Sequence, residues 1–162
     1  MEEKIRNIQL VVTDVDGTLT DGGMYITEKG DHFKRFHTRD GMAAKLLKQA
    51  GKKVGIMSHS VVTSMVEERA RMLDIPYCFA GKGDKLEVLD QWREELGLEW
   101  KQVAYIGDDI NDLSVLKKVG FSACPADAVH AVKQTVDVVL SRKGGEACFR
   151  EWVDEWLLST QR

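Results

Sequence analysis

Proline and cysteine are scarce in this chain of 162 residues, with 2 and 3 copies respectively. So few prolines exclude Pro-rich linkers and long extended tails. Cys78, Cys124 and Cys148 are odd in number, widely spaced and without a CxxC pair. That argues against a disulfide framework or a structural zinc site, and for three small buried hydrophobes in a reducing compartment. An excess of positive charge is also missing. Lys plus Arg number 23 against 26 Asp plus Glu, a formal net charge of −3. Nucleic acid and anionic membrane surfaces are therefore not expected partners. Nor is there a long hydrophobic run near the start, where MEEKIRN is of mixed charge and the following apolar stretch is broken by Asp14 and Asp16. It is too short and too acidic for a signal-peptide core or a membrane span. A cytoplasmic protein is the expectation.

What is present is an ordinary globular composition, 43% hydrophobic and 30% charged, which argues against disorder. Short β-rich runs alternate with helical patterns. Residues 8–15, 52–57, 102–108, 121–124 and 137–140 read as strands, with a shorter one at 77–79. Several are almost continuously apolar, as parallel strands covered on both faces are. Between them, Ala43, Leu47 and Ala50 form one helical stripe, and Leu89, Trp92 and Leu96 another. Phe149, Trp152, Val153, Trp156 and Leu157 follow helical spacing near the end. The alternation predicts an α/β fold, a doubly wound parallel sheet in a three-layer sandwich, as one domain over 1–162. One stretch interrupts it. MYITEKGDHFKRF has two strand-like halves around Lys29 and Gly30, predicting an inserted β-hairpin at about 23–37.

In an open parallel sheet, ligands collect outside the carboxyl ends of the strands. The first strand ends in Asp14-Val15-Asp16-Gly17-Thr18, the second in Ser58-His59-Ser60, and a later one in Gly107-Asp108-Asp109 with Asp112 close behind. Lys85 opens the helix between them. Carboxylates from two neighbouring strands at one edge repel each other, and a hard dication such as magnesium relieves that. Carboxylate, metal, hydroxyl and lysine together suit phosphoryl transfer. Blander roles exist for each residue alone. Asp14 fits a helix cap, Asn111 or Asp112 a cap of the next helix, and Lys85 a solvated lysine.

DVDGTLT after a hydrophobic strand, Ser58, Lys85 and GDDIND at 107–112 resemble the four motifs of the haloacid dehalogenase superfamily. DGGMYITEKGDHFKRFHTRDGMA, GDK at 83–85, AYIGDDINDL, CPADA at 124–128 and KGGE at 143–146 resemble a narrower group. These are the phosphatases of 3-deoxy-2-ulosonic acid phosphates, which include KDO 8-phosphate and nonulosonate 9-phosphate phosphatases. The resemblance implies a Rossmann-like core without a large cap domain, a Mg2+ cofactor and a sugar phosphate substrate. It implies Asp14 as nucleophile, Asp16 as general acid and base. Asp14, Asp108 and the backbone carbonyl of Asp16 would hold the metal, with Asp109 and Asp112 as nearby carboxylates. Ser58 and Lys85 match the phosphate-holding pair.

Arg69 and Arg39 are candidates for the ulosonate carboxylate, a planar fork suiting that group, although either also fits a surface salt bridge. His59 stands where relatives carry glycine, and is a candidate substrate contact or a local structural residue. Relatives resemble homotetramers whose active sites lie at subunit interfaces. Tyr25, Ile26, Phe33 and Phe36 fit a hairpin buried against partners or against its own domain, and KGGE resembles a flexible connection to a neighbouring site. A phospho-receiver module also combines acids, a hydroxyl and a lysine. Its phosphoacceptor, however, normally ends the third strand.

Overall fold

The computed structural model describes residues 1–159. Six strands form one parallel sheet: β1 (Leu10–Asp14), β4 (Lys53–Ser58), β5 (Tyr77–Ala80), β6 (Val103–Ile106), β7 (Phe121–Cys124) and β8 (Val138–Val139). Two more, β2 (Tyr25–Ile26) and β3 (His32–Phe33), pair antiparallel as a separate hairpin. The helices are α1 (Glu2–Arg6), α2 (Thr38–Gln49), α3 (Ser64–Met72), α4 (Lys85–Glu95), α5 (Leu113–Leu116), α6 (His130–Lys133) and α7 (Cys148–Trp152). A π turn over Val153–Leu157 continues α7.

The strand order is β5-β4-β1-β6-β7-β8. The chain therefore runs outward from β1 through β4 to β5, then crosses to β6 on the other side of β1. This reversal opens a crevice at the carboxyl end of β1, where Asp14 sits.

Every residue of β1 is buried, because both sheet faces are covered. On one face Val11 joins Ala43 and Leu47 of α2, Val66 and Ala70 of α3, and Phe149 and Trp152 of α7. On the other, Leu10 and Val12 join Leu89 of α4, Val115 of α5 and Val132 of α6. Trp152 is fully buried and stacks on Phe121 with ring centroids 5.7 Å apart. Truncating it to alanine would cost about 3–5 kcal/mol.

Local chemistry sets the helix starts. Asp84 Oδ1 accepts from the Leu86 and Glu87 amides at 2.8 and 3.2 Å, which begins α4 and places Lys85 in its first turn. His37 Nδ1 accepts from the Arg39 amide at 3.1 Å and begins α2. No helix among the described residues is long and apolar enough to cross a membrane.

Candidate active site

Asp14 is the last residue of β1 and only 5% exposed. Its Oδ1 accepts from Lys85 Nζ at 2.7 Å. The same ammonium donates to Asp112 Oδ1 at 2.9 Å and to the Tyr105 hydroxyl at 3.2 Å. Tyr105 in turn donates to Asp112 Oδ1 at 2.6 Å. Asp112 Oδ2 accepts from the backbone amides of Asp108 and Asp109 at 3.1 and 3.3 Å. Both oxygens of Asp112 are thus spent within the protein, fixing Lys85 and the loop after β6.

Asp108 comes to Asp14 from the neighbouring strand. The Thr18 hydroxyl stands 3.4 Å from Asp14 Oδ2 and 3.3 Å from Asp108 Oδ1. Glycine at 17 makes this approach possible. Its φ is +86°, and a Cβ there would lie 2.0 Å from Asp108 Oδ2. Oxygens of Asp14, Asp108 and Asp112 all lie within 4.8 Å of one another.

Three carboxylates share one ammonium, and the electrostatics reflect the shortage. Burial, then the Asp112 charge, push the Asp14 carboxyl well above its usual range, with Lys85 pulling the other way. Asp108 is pushed up to about 6, chiefly by burial. Burial pulls the Lys85 ammonium down, but Asp14 and Asp112 together outweigh it and hold its pKa above the ordinary lysine value. A hard dication accepting oxygen ligands fits this donor set, since it supplies the missing charge. Asp14 and Asp108 retain ligand capacity; Asp112 has none left. The Asp16 carboxylate lies outside this cluster.

Asp16 projects to the hairpin side. Its Oδ1 meets Lys34 Nζ at 2.5 Å, and its Oδ2 accepts from Ser58 Oγ at 3.4 Å. Ser58 is fully buried at the end of β4, its Oγ also accepting from the Ser60 amide at 3.0 Å. The structure thus brings Asp14, Asp16, Ser58, Lys85, Asp108 and Asp112 to one sheet edge. Lys85 is 2% exposed and held on carboxylates. As seen, its contacts position the Asp14 oxygen rather than a phosphate.

Other expectations fare differently. Asp109 is exposed and serves as a cap, its carboxylate accepting from the Ile110 amide at 2.7 Å. Arg69, in α3, contacts the start of α2. Its guanidinium donates to the His37 carbonyl at 3.3 Å and lies over Phe36, 5.3 Å from the ring centroid. Arg39 is exposed in the first turn of α2 and lines a polar cleft with Arg142 and Arg150. Both ring nitrogens of His59 are engaged by protein groups, Gly83 and Asn111.

The glycines of KGGE pack against the loop after β1 of their own chain. A Cβ at Gly144 would lie 1.9 Å from the Gly17 carbonyl oxygen, and the Gly145 amide donates to the Thr18 carbonyl at 3.1 Å. Residues that follow are core, with Cys148 and Trp152 fully buried.

Sequence reasoning missed Lys34, whose role depends on how the hairpin folds back. It also missed Tyr105, although a lone polar group inside the apolar run VAYI is a visible signal.

Comparison with known proteins agrees with this geometry. The family model of the haloacid dehalogenase-like hydrolases matches residues 42–146. The 3-deoxy-D-manno-octulosonate 8-phosphate phosphatase of Haemophilus influenzae is 40% identical over 154 residues, 95% of this chain and 85% of that protein. The crystal structure of the phosphatase of that name from Yersinia pestis superposes with a TM-score of 0.93 at 34% identity, covering 98% of this chain and 85% of the other. The Moraxella catarrhalis phosphatase, solved with a magnesium ion, a phosphate ion and a KDO molecule, gives 0.92 at 32% identity, covering 98% and 90%. A buried aspartate at the switch point of a parallel sheet, braced by a lysine and facing a second acid, is thus set in a chain similar to these enzymes throughout. The chain belongs to the haloacid dehalogenase-like hydrolases, in the family of the 3-deoxy-D-manno-octulosonate 8-phosphate phosphatases.

Proposed function

We propose that this chain is a magnesium-dependent phosphatase that hydrolyses 3-deoxy-D-manno-octulosonate 8-phosphate to the free sugar and inorganic phosphate. The observation that carries it is Asp14, held at the end of β1 by Lys85 on one oxygen and facing Asp108 on the other side. Lys85 orients the Asp14 carboxylate, one oxygen of which attacks phosphorus. The phosphorus–oxygen bond of the ester breaks as the Asp14–phosphorus bond forms, and the sugar oxygen leaves with a proton from Asp16. Asp16, now a carboxylate beside Lys34, takes a proton from water, whose oxygen attacks phosphorus and frees Asp14. The carboxylates of Asp14 and Asp108 and the carbonyl of Asp16 would hold magnesium, which would supply charge neutralisation at the phosphoryl oxygens.

Ser58 holds Asp16 from the end of β4, and the hairpin delivers Lys34 to it. Met24, Ile26 and Phe33 of this hairpin region are 77%, 54% and 53% exposed. That apolar surface supports a homotetramer in which hairpins associate and neighbours help close each site, with Arg39 available to a substrate carboxylate. A site inside a cytoplasmic enzyme is consistent with three free thiols.

Phosphate release, assayed with magnesium on the 8-phosphate and on a nonulosonate 9-phosphate, tests the substrate. A higher kcat/KM on the 8-phosphate is expected. Preference for the 9-phosphate would move the assignment to the nonulosonate esters, and release stopping at one equivalent per chain would indicate a phospho-receiver.

A further inference from the structure

Lys85 is held on Asp14 at the start of α4, just after a segment that contains two glycines. Gly81 and Gly83, at φ +120° and +142°, flank Lys82 immediately before Asp84 and Lys85. Glycine loses more conformational freedom on ordering than any other residue, so such a segment needs an external hold. His59 supplies one. It follows Ser58 directly on leaving β4, and its ring stands edge-on to Phe79 with centroids 6.2 Å apart. Phe79 also lies under Gly83, where a Cβ would meet its ring at 3.0 Å. His59 Nε2 is 2.7 Å from the Gly83 carbonyl oxygen, and Nδ1 is 3.1 Å from Asn111 Nδ2. A carbonyl can only accept, so the ring proton is on Nε2, and Nδ1 accepts from the Asn111 amide. Three separate loops, those leaving β4, β5 and β6, are joined through this one imidazole.

We propose that His59 is a positioning residue, clasping the glycine segment that carries Lys85 to the loop after β6 and so holding the lysine on Asp14. It acts through Lys85 and leaves neither ring nitrogen for the sugar. The activity arm below rests on the phosphatase reading; the exchange arm does not.

Three variants separate the ring from its hydrogen bonds. His59→Phe keeps the contact with Phe79 and loses both bonds, His59→Ala loses all, and His59→Gln retains a donor and an acceptor. With 3-deoxy-D-manno-octulosonate 8-phosphate and magnesium, kcat is expected to fall about tenfold in the Phe and Ala variants, with KM changed less than about twofold. His59→Gln should regain most of the rate. Amide hydrogen exchange of peptides covering residues 81–87 should quicken about tenfold in His59→Phe, while peptides of β1 and β6 stay as in the parent. Unchanged exchange over 81–87 would overturn the clasp, whatever the activity. A rise in KM alone would overturn it in favour of a sugar contact, and failure of His59→Gln to recover would overturn the hydrogen-bond basis. If the parent chain itself releases no phosphate, the substrate assignment fails and the exchange arm still decides the clasp.

Discussion

Asp112 takes hydrogen bonds from Lys85, Tyr105 and the amides of Asp108 and Asp109, all while fully buried. Removing one donor leaves an acceptor that burial makes costly to abandon. Tyr105→Phe is therefore expected to lower unfolding stability by about 1–3 kcal/mol in urea titration and to reduce kcat through a looser Lys85. An unchanged denaturation midpoint would contradict that role. Asp14→Asn removes the proposed attacking carboxylate without removing volume. Turnover is expected to fall about a thousandfold or more, with the thermal midpoint equal to or above the parent's, since one unmet buried charge is gone. Near-normal turnover would rule out Asp14 as the nucleophile. Asp14, Asp16, Ser58 and Asp108 were legible in the sequence because strand ends announce themselves as acids or hydroxyls after apolar runs, and Lys85 because of its place in the order of motifs. The contact of Arg69 with Phe36 was not, since a helical arginine gives no sign in sequence of which neighbouring ring it covers.

Between elements, the joint of the Gly144 segment with the loop after β1 carries the catalytic loop's shape. Gly144→Ala forces a methyl into the Gly17 carbonyl, which cannot yield without moving the turn between Asp16 and Thr18. The expected result is a loss of about 1–3 kcal/mol in stability together with reduced turnover, read by melting and phosphate release on the same preparation.

Asp40 joins α2 to α7, its Oδ1 accepting from the Arg150 amide at 3.0 Å while Oδ2 is buried without a partner. Burial pushes this carboxyl up to about 7, against the pull of Arg150, Arg69 and Arg142. The folded state therefore holds this proton more tightly than the unfolded chain does. The contribution is complete below about pH 4 and is lost as pH rises toward 7. Relative to Asp40→Asn, the parent's thermal midpoint should fall as pH is raised from 4 to 8. A pH-independent difference would contradict the assignment. Strands and long helices were legible here because burial on both faces writes continuous apolar runs. The five-residue α1, with Ile5 as its one buried residue, and the four-residue α6 are too short to write any period.

For the molecule as a whole, the βαβ alternation made the parallel sheet legible but not its strand order, and the crevice at β1 follows from where that order reverses. Assembly is less legible, because Tyr25, Ile26, Phe33 and Phe36 are equally compatible with burial in the chain's own core. The folded chain decides part of this. Phe36 packs against the core while Ile26 and Phe33 face outward. Light scattering of the native protein is expected to give four times the chain mass, and Phe33→Glu to lower it. An active monomer would remove inter-subunit closure from the account. The central claim concerns Asp14 and its metal-assisted chemistry, and one titration addresses it most directly: the rate of phosphate release from 3-deoxy-D-manno-octulosonate 8-phosphate as magnesium is added to chelator-treated enzyme. The rate should rise from near zero to a plateau sustained over many equivalents of phosphate per chain. Full turnover in excess chelator, with magnesium adding nothing, would contradict it.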